Sequence, residues 1–285
     1  MALIKVKTPA KINLTLEMAG LLEGGFHKIK SIMTTINLYD FLTFEIDDIK
    51  TRQNEIFLSG NNPQIPYNEK NLVYKAIEVF CEKAQIKNKK FKVYIEKHIP
   101  VEAGLAGGST NGAGTFYALN KIFNEPLNEK EINELCAKLG SDLNFCLKGG
   151  CCLCEERGEV ITPLKPVSLD VSLIKPKTFG ISAKEAYTKF DNLKNKPKAI
   201  NTDKLVKLIN DGKFDEKLMI NHLETAVIDD YPILRKIKTQ TGAMMSGSGP
   251  TMFTLTPIVD MGRINLSDLL IVEGLKTIST GVEIV

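Results

Sequence analysis

From His98 to Ala113 the chain reads HIPVEAGLAGGSTNGA, a stretch whose chemistry lies in its backbone. Gly104, Gly107 and Gly108 carry no Cβ, so the main chain there is free to take left-handed dihedrals and to approach a ligand closely. The stretch joins two periodic segments. Phe91, Val93, Ile95 and Ile99 are set against Lys92, Tyr94, Glu96 and His98, the alternation of a half-buried strand, and Pro100 ends its pairing. Phe116, Leu119 and Phe123 then recur at near-helical spacing, so Ser109 to Asn111 are expected to cap and begin a helix. Free amides at a helix start, reinforced by the helix dipole, suit phosphate oxygens. The loop has neither the Gly-Lys-Ser/Thr of a Walker motif nor the G-x-G-x-x-G of a dinucleotide fold. Closely spaced glycines also make turns that bind nothing, but a strand-to-helix junction favours the anion-binding reading.

The remaining candidate groups depend on the elements around this loop. Ile4 and Val6 alternate with Lys5 and Lys7, Thr8-Pro9 interrupts, and Ile12, Leu14, Leu16 and Met18 alternate with Lys11, Asn13, Thr15 and Glu17. Two strands are predicted, with Lys11 and Asn13 together on the face opposite Ile12 and Leu14. By composition alone such a lysine is a solvated one. Ile36, Leu38, Leu42, Phe44 and Ile46 suggest further strands, Gly60 to Pro63 a loop, and Leu72, Val73, Ala76, Ile77 and Phe80 an amphipathic helix. Asn128 with Glu131 forms a capping box ahead of Ile132, Leu135, Cys136 and Leu139, and Gly140 ends that helix. Asp142 follows, and its structural reading is that it or Ser141 caps a short helix.

Farther on, residues 151–154 and 167–174 read as strands, and the crossing at Pro163 and Pro166 divides the chain into 1–160 and 161–285. Ser182 to Glu185 form a second capping box with Tyr187 inside its helix, and helices are expected at 202–210 and 215–228. A strand over 252–255 leaves the Gly247-Ser248-Gly249 turn, and Val282 and Ile284 mark a terminal one. Helices and strands mixed without regular β-α-β spacing predict an α+β fold.

The 285 residues, 43% hydrophobic and 25% charged, are enough for two modest domains, each with its own core. A net charge of +3 with interspersed signs is too weak a field to argue for nucleic acid, and Lys87, Lys89, Lys90 and Lys92 read as a solvated strand edge. No run has the length of a membrane span, and residues Met1 to Lys5 do not open a signal peptide, so a cytoplasmic protein is expected. Cys81, Cys136, Cys146, Cys151, Cys152 and Cys154 are far in sequence from His27, His98 and His222, and are expected to pack as reduced thiols.

The string PVEAGLAGGSTN from Pro100 resembles the central motif of the GHMP kinases, in which this loop wraps the ATP phosphates. Four more strings, TPAKINL from Thr8, GGFH from Gly24, GSDLNFCLKGG from Gly140 and MSGSGP from Met245, resemble other motifs of one branch of that family, in the expected order. That branch phosphorylates the 2-hydroxyl of 4-diphosphocytidyl-2-C-methyl-D-erythritol on the non-mevalonate route to isoprenoid and terpenoid precursors. The resemblance implies a two-domain fold, with an N-terminal half like domain 2 of ribosomal protein S5 and a ferredoxin-like C-terminal half. It assigns ATP to Pro100, Val101, Glu102, Ala103, Gly104, Leu105, Ala106, Gly107, Gly108, Ser109 and Thr110, and magnesium as the nucleotide's counter-ion without a protein-built metal site. Asp142 becomes the base and Lys11 the cation that keeps it ionised and offsets charge on the transferred group. Asn13, Phe26, His27 and Tyr187 would hold the acceptor, its cytosine between aromatic rings, with Gly247, Ser248 and Gly249 as a third glycine-rich motif. The implied partner is a small molecule, and the state a monomer or homodimer.

The chain departs from the branch at Phe26 for tyrosine, Gly25 for aspartate, Ala183 for threonine, Asn144 for proline and Gly112 for alanine. Alternatives are a GHMP kinase acting on homoserine or mevalonate, or a nucleotide-binding module of the same fold without turnover.

Overall fold

The structure, a computed structural model, describes residues 2–51, 53–258 and 264–285; Met1, at the head of the opening segment read above, lies outside them. In order along the chain come β1 (Ala2–Leu21), β2 (His27–Asp48), β3 (Glu55–Gly60), α1 (Leu72–Lys83), β4 (Lys89–Glu96), α2 (Gly107–Ile122), α3 (Glu129–Leu139), α4 (Leu143–Lys148), β5 (Cys151–Glu156) and β6 (Val160–Pro163). Then follow β7 (Asp170–Pro176), α5 (Ala183–Asp191), α6 (Asn201–Asn210), β8 (Ile220–Asn221), α7 (His222–Val227), α8 (Pro232–Thr241), β9 (Met244–Met245), β10 (Met252–Thr254), β11 (Leu269–Ile278) and β12 (Glu283–Ile284).

The sheet branches at β2. That strand pairs along its length with β1, and its other edge is shared: Ile29–Thr34 pair with β5, Thr35 and Ile36 with β11, and Phe41–Asp48 with β4. Beyond β11 the path continues through β7 and β10 to β9, while β3 lies beside β4, β6 beside β5, and β8 and β12 beside β1. The α+β expectation holds. The sheet is interleaved in sequence, since β8 and β12 from the end of the chain extend the strand that begins it. A division between residues 160 and 161 falls inside β6, which is paired with β5.

β1 corrects the expectation of two strands. Pro9 interrupts alternation without ending the strand, because it stands at a register break between Pro9 and Ala10, where its missing N–H is tolerated. A second break falls between Asn13 and Thr15, and the alternation changes phase at each. Val6, Leu16 and Met18 face the larger core, whereas Ala10, Ile12 and Leu14 between the breaks face the smaller one. Lys11 and Asn13 are thereby turned toward the larger core, the side packed with α1 to α4. Both faces of this stretch are buried, so Lys11 is not a solvated surface lysine.

Other local expectations need amendment. The segment 215–228 is broken, because Ile220 and Asn221 pair with β1 before α7 begins. β4 is flanked on both sides, so Lys89, Lys90 and Lys92 project from an inner strand, not from an edge. Ser182 accepts from the Glu185 amide, but the Glu185 carboxylate accepts from Tyr231 Oη, so only half of that box forms. The Asn128–Glu131 box forms completely. α8 and β11 were not anticipated.

All six cysteines are free and buried. Cys151 and Cys154 stand three apart, but strand alternation sends Cys151 to the smaller core and Cys154 to the larger. Burial pushes their thiols up, to about 12 for Cys81, Cys136 and Cys151. Among the described residues no helix is long and apolar enough to cross a membrane.

Candidate active site

The glycine-rich loop is the turn that carries β4 into α2. Gly104 takes φ +71°, and a Cβ there would stand 2.0 Å from the Ser246 carbonyl oxygen. Only glycine fits both the dihedral and the gap. Ser246 Oγ donates to the Gly104 carbonyl at 3.0 Å, which docks the loop onto the third glycine-rich motif. Asn221, which the sequence reading passed over, holds that motif from below by donating to the carbonyls of Met245 at 2.7 Å and Gly247 at 2.9 Å.

Gly107 and Gly108 were expected to take unusual dihedrals and instead form the first turn of α2. The helix starts before the expected cap at Ser109, and its cap position is Ala106, left-handed at φ +57° with no side-chain hydrogen bond. Glu102 is also left-handed, at φ +49°. The first amides of α2 have no partner within the helix and no side chain closing them off, as an anion site requires. Gly107 is needed for room: a Cβ there would come within 2.6 Å of Lys97 Nζ.

Lys97 is a second residue that sequence reasoning missed. Its ammonium is buried beneath the loop, 2.6 Å from Asp40 Oδ2 and 2.7 Å from the Ile99 carbonyl. The other Asp40 oxygen accepts the amides of His98 and Ile99, each at 2.8 Å. Burial depresses the Lys97 pKa, and the Asp40 carboxylate opposes that shift. A signal was available: Lys97 continues the inward phase of Phe91, Val93 and Ile95, and Asp40 that of Ile36, Leu38 and Leu42. Charges on the apolar phase of neighbouring strands call for each other.

Lys11 and Asp142 meet at the centre. Lys11 is 4% exposed, and its Nζ lies 2.7 Å from Asn13 Oδ1 and 3.8 Å from Asp142 Oδ2. Its backbone N–H donates to the Leu105 carbonyl, tying β1 to the loop. Asn13 donates in turn to Ser31 Oγ at 2.9 Å, so its amide group orients Lys11. Asp142 does occupy the cap position of α4. Its backbone is helical there (φ −87°, ψ −12°) and its side chain makes no cap hydrogen bond, so the carboxylate is left to Lys11. The capping reading of Asp142 is overturned.

These groups share one cavity of about 530 Å³, walled by Lys11, Asn13 and Asp142 on one side and by Pro100 to Gly104, Ala106 to Ser109, Gly247 and Ser248 on another. Leu105 and Thr110 turn into the protein and are not on its wall. Tyr187 and Arg157 line it as well. The Tyr187 ring lies 4.8 Å from the His27 ring, and burial raises its hydroxyl pKa, with the Asp142 charge adding to the effect. His27 Nε2 is 2.8 Å from Asp191 Oδ1. Phe26 is 56% exposed and lies under the Arg157 guanidinium, 5.4 Å from ring centroid to Cζ. Phe26 and His27 lie outside the cavity wall, and Phe26 is not paired with Tyr187.

Residues 71–150 match the model of the GHMP kinases N terminal domain. The chain is 40% identical over 258 residues to a 4-diphosphocytidyl-2-C-methyl-D-erythritol kinase of Clostridium perfringens, with 88% of each chain covered. It is 38% identical over 259 residues to the kinase of that name from Clostridium acetobutylicum, covering 88% of this chain and 90% of the relative. Among solved structures it resembles a 4-(cytidine 5'-diphospho)-2C-methyl-D-erythritol kinase (TM-score 0.76, 23% identity, 98% and 100% covered). A homoserine kinase from Cytophaga hutchinsonii matches as well (TM-score 0.77, 17% identity, 100% and 98% covered), so the shared fold does not distinguish acceptors. Sequence identity does, and by it the chain belongs to the 4-diphosphocytidyl-2-C-methyl-D-erythritol kinase family of GHMP kinases.

Proposed function

We propose that this enzyme transfers the terminal phosphoryl group of ATP to the 2-hydroxyl of 4-diphosphocytidyl-2-C-methyl-D-erythritol, in the non-mevalonate route to isoprenoid precursors. The observation that carries the reading is the meeting in one cavity of open amides at the start of α2, the Lys11 ammonium and the Asp142 carboxylate. Phosphoryl transfer asks little covalent work of a protein and rests on positioning and charge stabilisation. The loop from Pro100 to Thr110 cradles the ATP phosphates, with Gly247 to Gly249 bracing it from the other side. Asp142 takes the proton of the attacking hydroxyl, and Lys11, held by Asn13, offsets charge as it spreads over the transferred group. The cytosine end is assigned to Tyr187 on the cavity wall, to His27 packed on its ring, and to Phe26, which lies outside the wall under Arg157. Residues 1–160 carry the loop and the catalytic pair, and 161–285 bring Tyr187 and the third motif.

Magnesium fits as the nucleotide's counter-ion, because Asp142 and Ser109 bring oxygen donors to the cavity wall. Among the described residues no group of three or more His, Cys, Asp or Glu side chains is placed to hold a metal ion; in this reading phosphate oxygens and water would supply most of the ligands of the magnesium. The ion would supply charge neutralisation of the phosphates. The partners in this reading are small molecules, acceptor and nucleotide, and the enzyme works as a monomer or homodimer in the cytoplasm.

The test is ADP release, measured with the cytidine-linked alcohol, homoserine, mevalonate and no acceptor. Turnover with the first alone supports the reading. Preference for homoserine or mevalonate would replace the acceptor, and none with any would leave a binding module.

A further inference from the structure

Arg157 sits at the tip of the turn between β5 and β6 and belongs to none of the motifs that identify the family. Its conformation is tightly held. Glu159 accepts from its backbone N–H at 2.9 Å and from its Nε at 3.1 Å, and the Ala137 carbonyl accepts from Nη2 at 3.3 Å. A guanidinium carries five N–H donors, and the other three have no protein partner among the described residues. One face of the group covers the Phe26 ring. The group also lines the active-site cavity.

Its position relative to the reaction centre is set by the same turn. Gly158 packs on the residue before the base, since a Cβ there would lie 3.4 Å from the Ser141 carbonyl and 3.6 Å from Ser141 Cβ. The turn that carries Arg157 therefore touches both the aromatic residue assigned to the cytosine and the residue before the carboxylate assigned to the reacting hydroxyl, and Arg157 and Asp142 line one cavity. In a 4-diphosphocytidyl alcohol the piece between base and hydroxyl is the diphosphate. A planar guanidinium with one edge anchored and the other open matches two phosphate oxygens at once.

We propose that Arg157 is a specificity-determining residue whose open N–H edge binds the diphosphate of the acceptor, an inference that rests on the acceptor reading given above. The Phe26 stack and the Glu159 anchor hold the fork in its binding orientation before the acceptor arrives, which lowers the entropy lost on binding. Glu159 offsets part of the positive charge, so the site favours the diphosphate through geometry as much as through net charge.

The experiment titrates cytidine and CDP into protein saturated with a non-hydrolysable ATP analogue, so that only the acceptor end is open. In the unmodified protein CDP binds more tightly than cytidine. Arg157→Gln is expected to weaken CDP by about 10- to 100-fold, the scale of charge-assisted hydrogen bonds, and to leave cytidine and the ATP analogue unchanged. Arg157→Lys, which keeps the charge and loses the fork, falls between, and serves if the glutamine variant does not fold. In turnover, the acceptor KM rises while kcat at saturation holds. An unchanged ratio of CDP to cytidine affinity overturns the proposal and leaves the acceptor reading intact. An equal loss of both ligands also overturns it, reducing Arg157 to a support for the Phe26 ring. If the unmodified protein binds neither ligand, the acceptor reading fails, and the proposal falls with it.

Discussion

The Lys11 ammonium stands 3.8 Å from Asp142 Oδ2, yet its shorter contact is the 2.7 Å bond to Asn13 Oδ1. The cation is thus held by its own strand and stays in place when the carboxylate is changed. Asp142 in turn makes no capping bond on α4, so its charge is not committed to the fold.

Asp142→Asn separates chemistry from structure for that reason. Turnover is expected to fall by roughly 10²- to 10⁴-fold, nearer the lower figure because a loosely dissociative transition state asks less of a base. Thermal stability and ATP affinity should hold. Near-full turnover in the folded variant would remove Asp142 from the role of base.

Gly104 and Gly108 divide the loop's glycines into two kinds. Gly104→Ala forces a left-handed dihedral on alanine and drives its Cβ against the Ser246 carbonyl, so a loss of about 1–3 kcal/mol and weaker ATP binding are expected. Gly108→Ala sits in a helical turn with its nearest contact, Leu72 Cδ1, at 3.8 Å, and should leave stability unchanged or slightly raised. Thermal unfolding of the two variants decides it: equal destabilisation would contradict the assignment.

Asp40→Ala strands the Lys97 ammonium under the phosphate loop and leaves the His98 and Ile99 amides without their acceptor. Breaking one side of a buried pair costs about 3–5 kcal/mol. The double variant Asp40→Leu, Lys97→Met removes both charges and should recover part of that loss in urea unfolding. A double variant no more stable than Asp40→Ala would mean that the pair is not what holds this region.

The buried thiols make the fold sensitive to alkali. All six cysteine pKa values are raised above 9.0, so above that pH the unfolded chain releases protons that the folded chain keeps. Their contribution is fully present below pH 9.0 and is lost as pH rises toward the folded values. Each thiol costs on the order of 1 kcal/mol at about pH 10. The depressed Lys97 and Lys175 pKa values act in the opposite sense, since two protons are bound less readily in the fold, and are outnumbered. Urea midpoints at about pH 7.5 and about pH 10 check the sign, and a midpoint that rises with pH would refute it.

Contiguous residues carried much of this protein in plain view. Capping at Asn128, the strand ending before Pro100, the helical spacing after the loop and the order of five short strings all follow from neighbours along the chain. They led to the α+β fold, the phosphate loop and the two candidates Lys11 and Asp142. Tertiary structure decided which side chains those elements present. The register breaks in β1 depend on pairing with β2, and they turn Lys11 and Asn13 toward the helices that carry Asp142. The same holds for Lys97 with Asp40, Asn221 with Gly247, and Arg157 with Phe26. Each pair joins segments far apart in sequence, and a hydrogen bond or stack between them exists only once strand pairing has fixed distance and face.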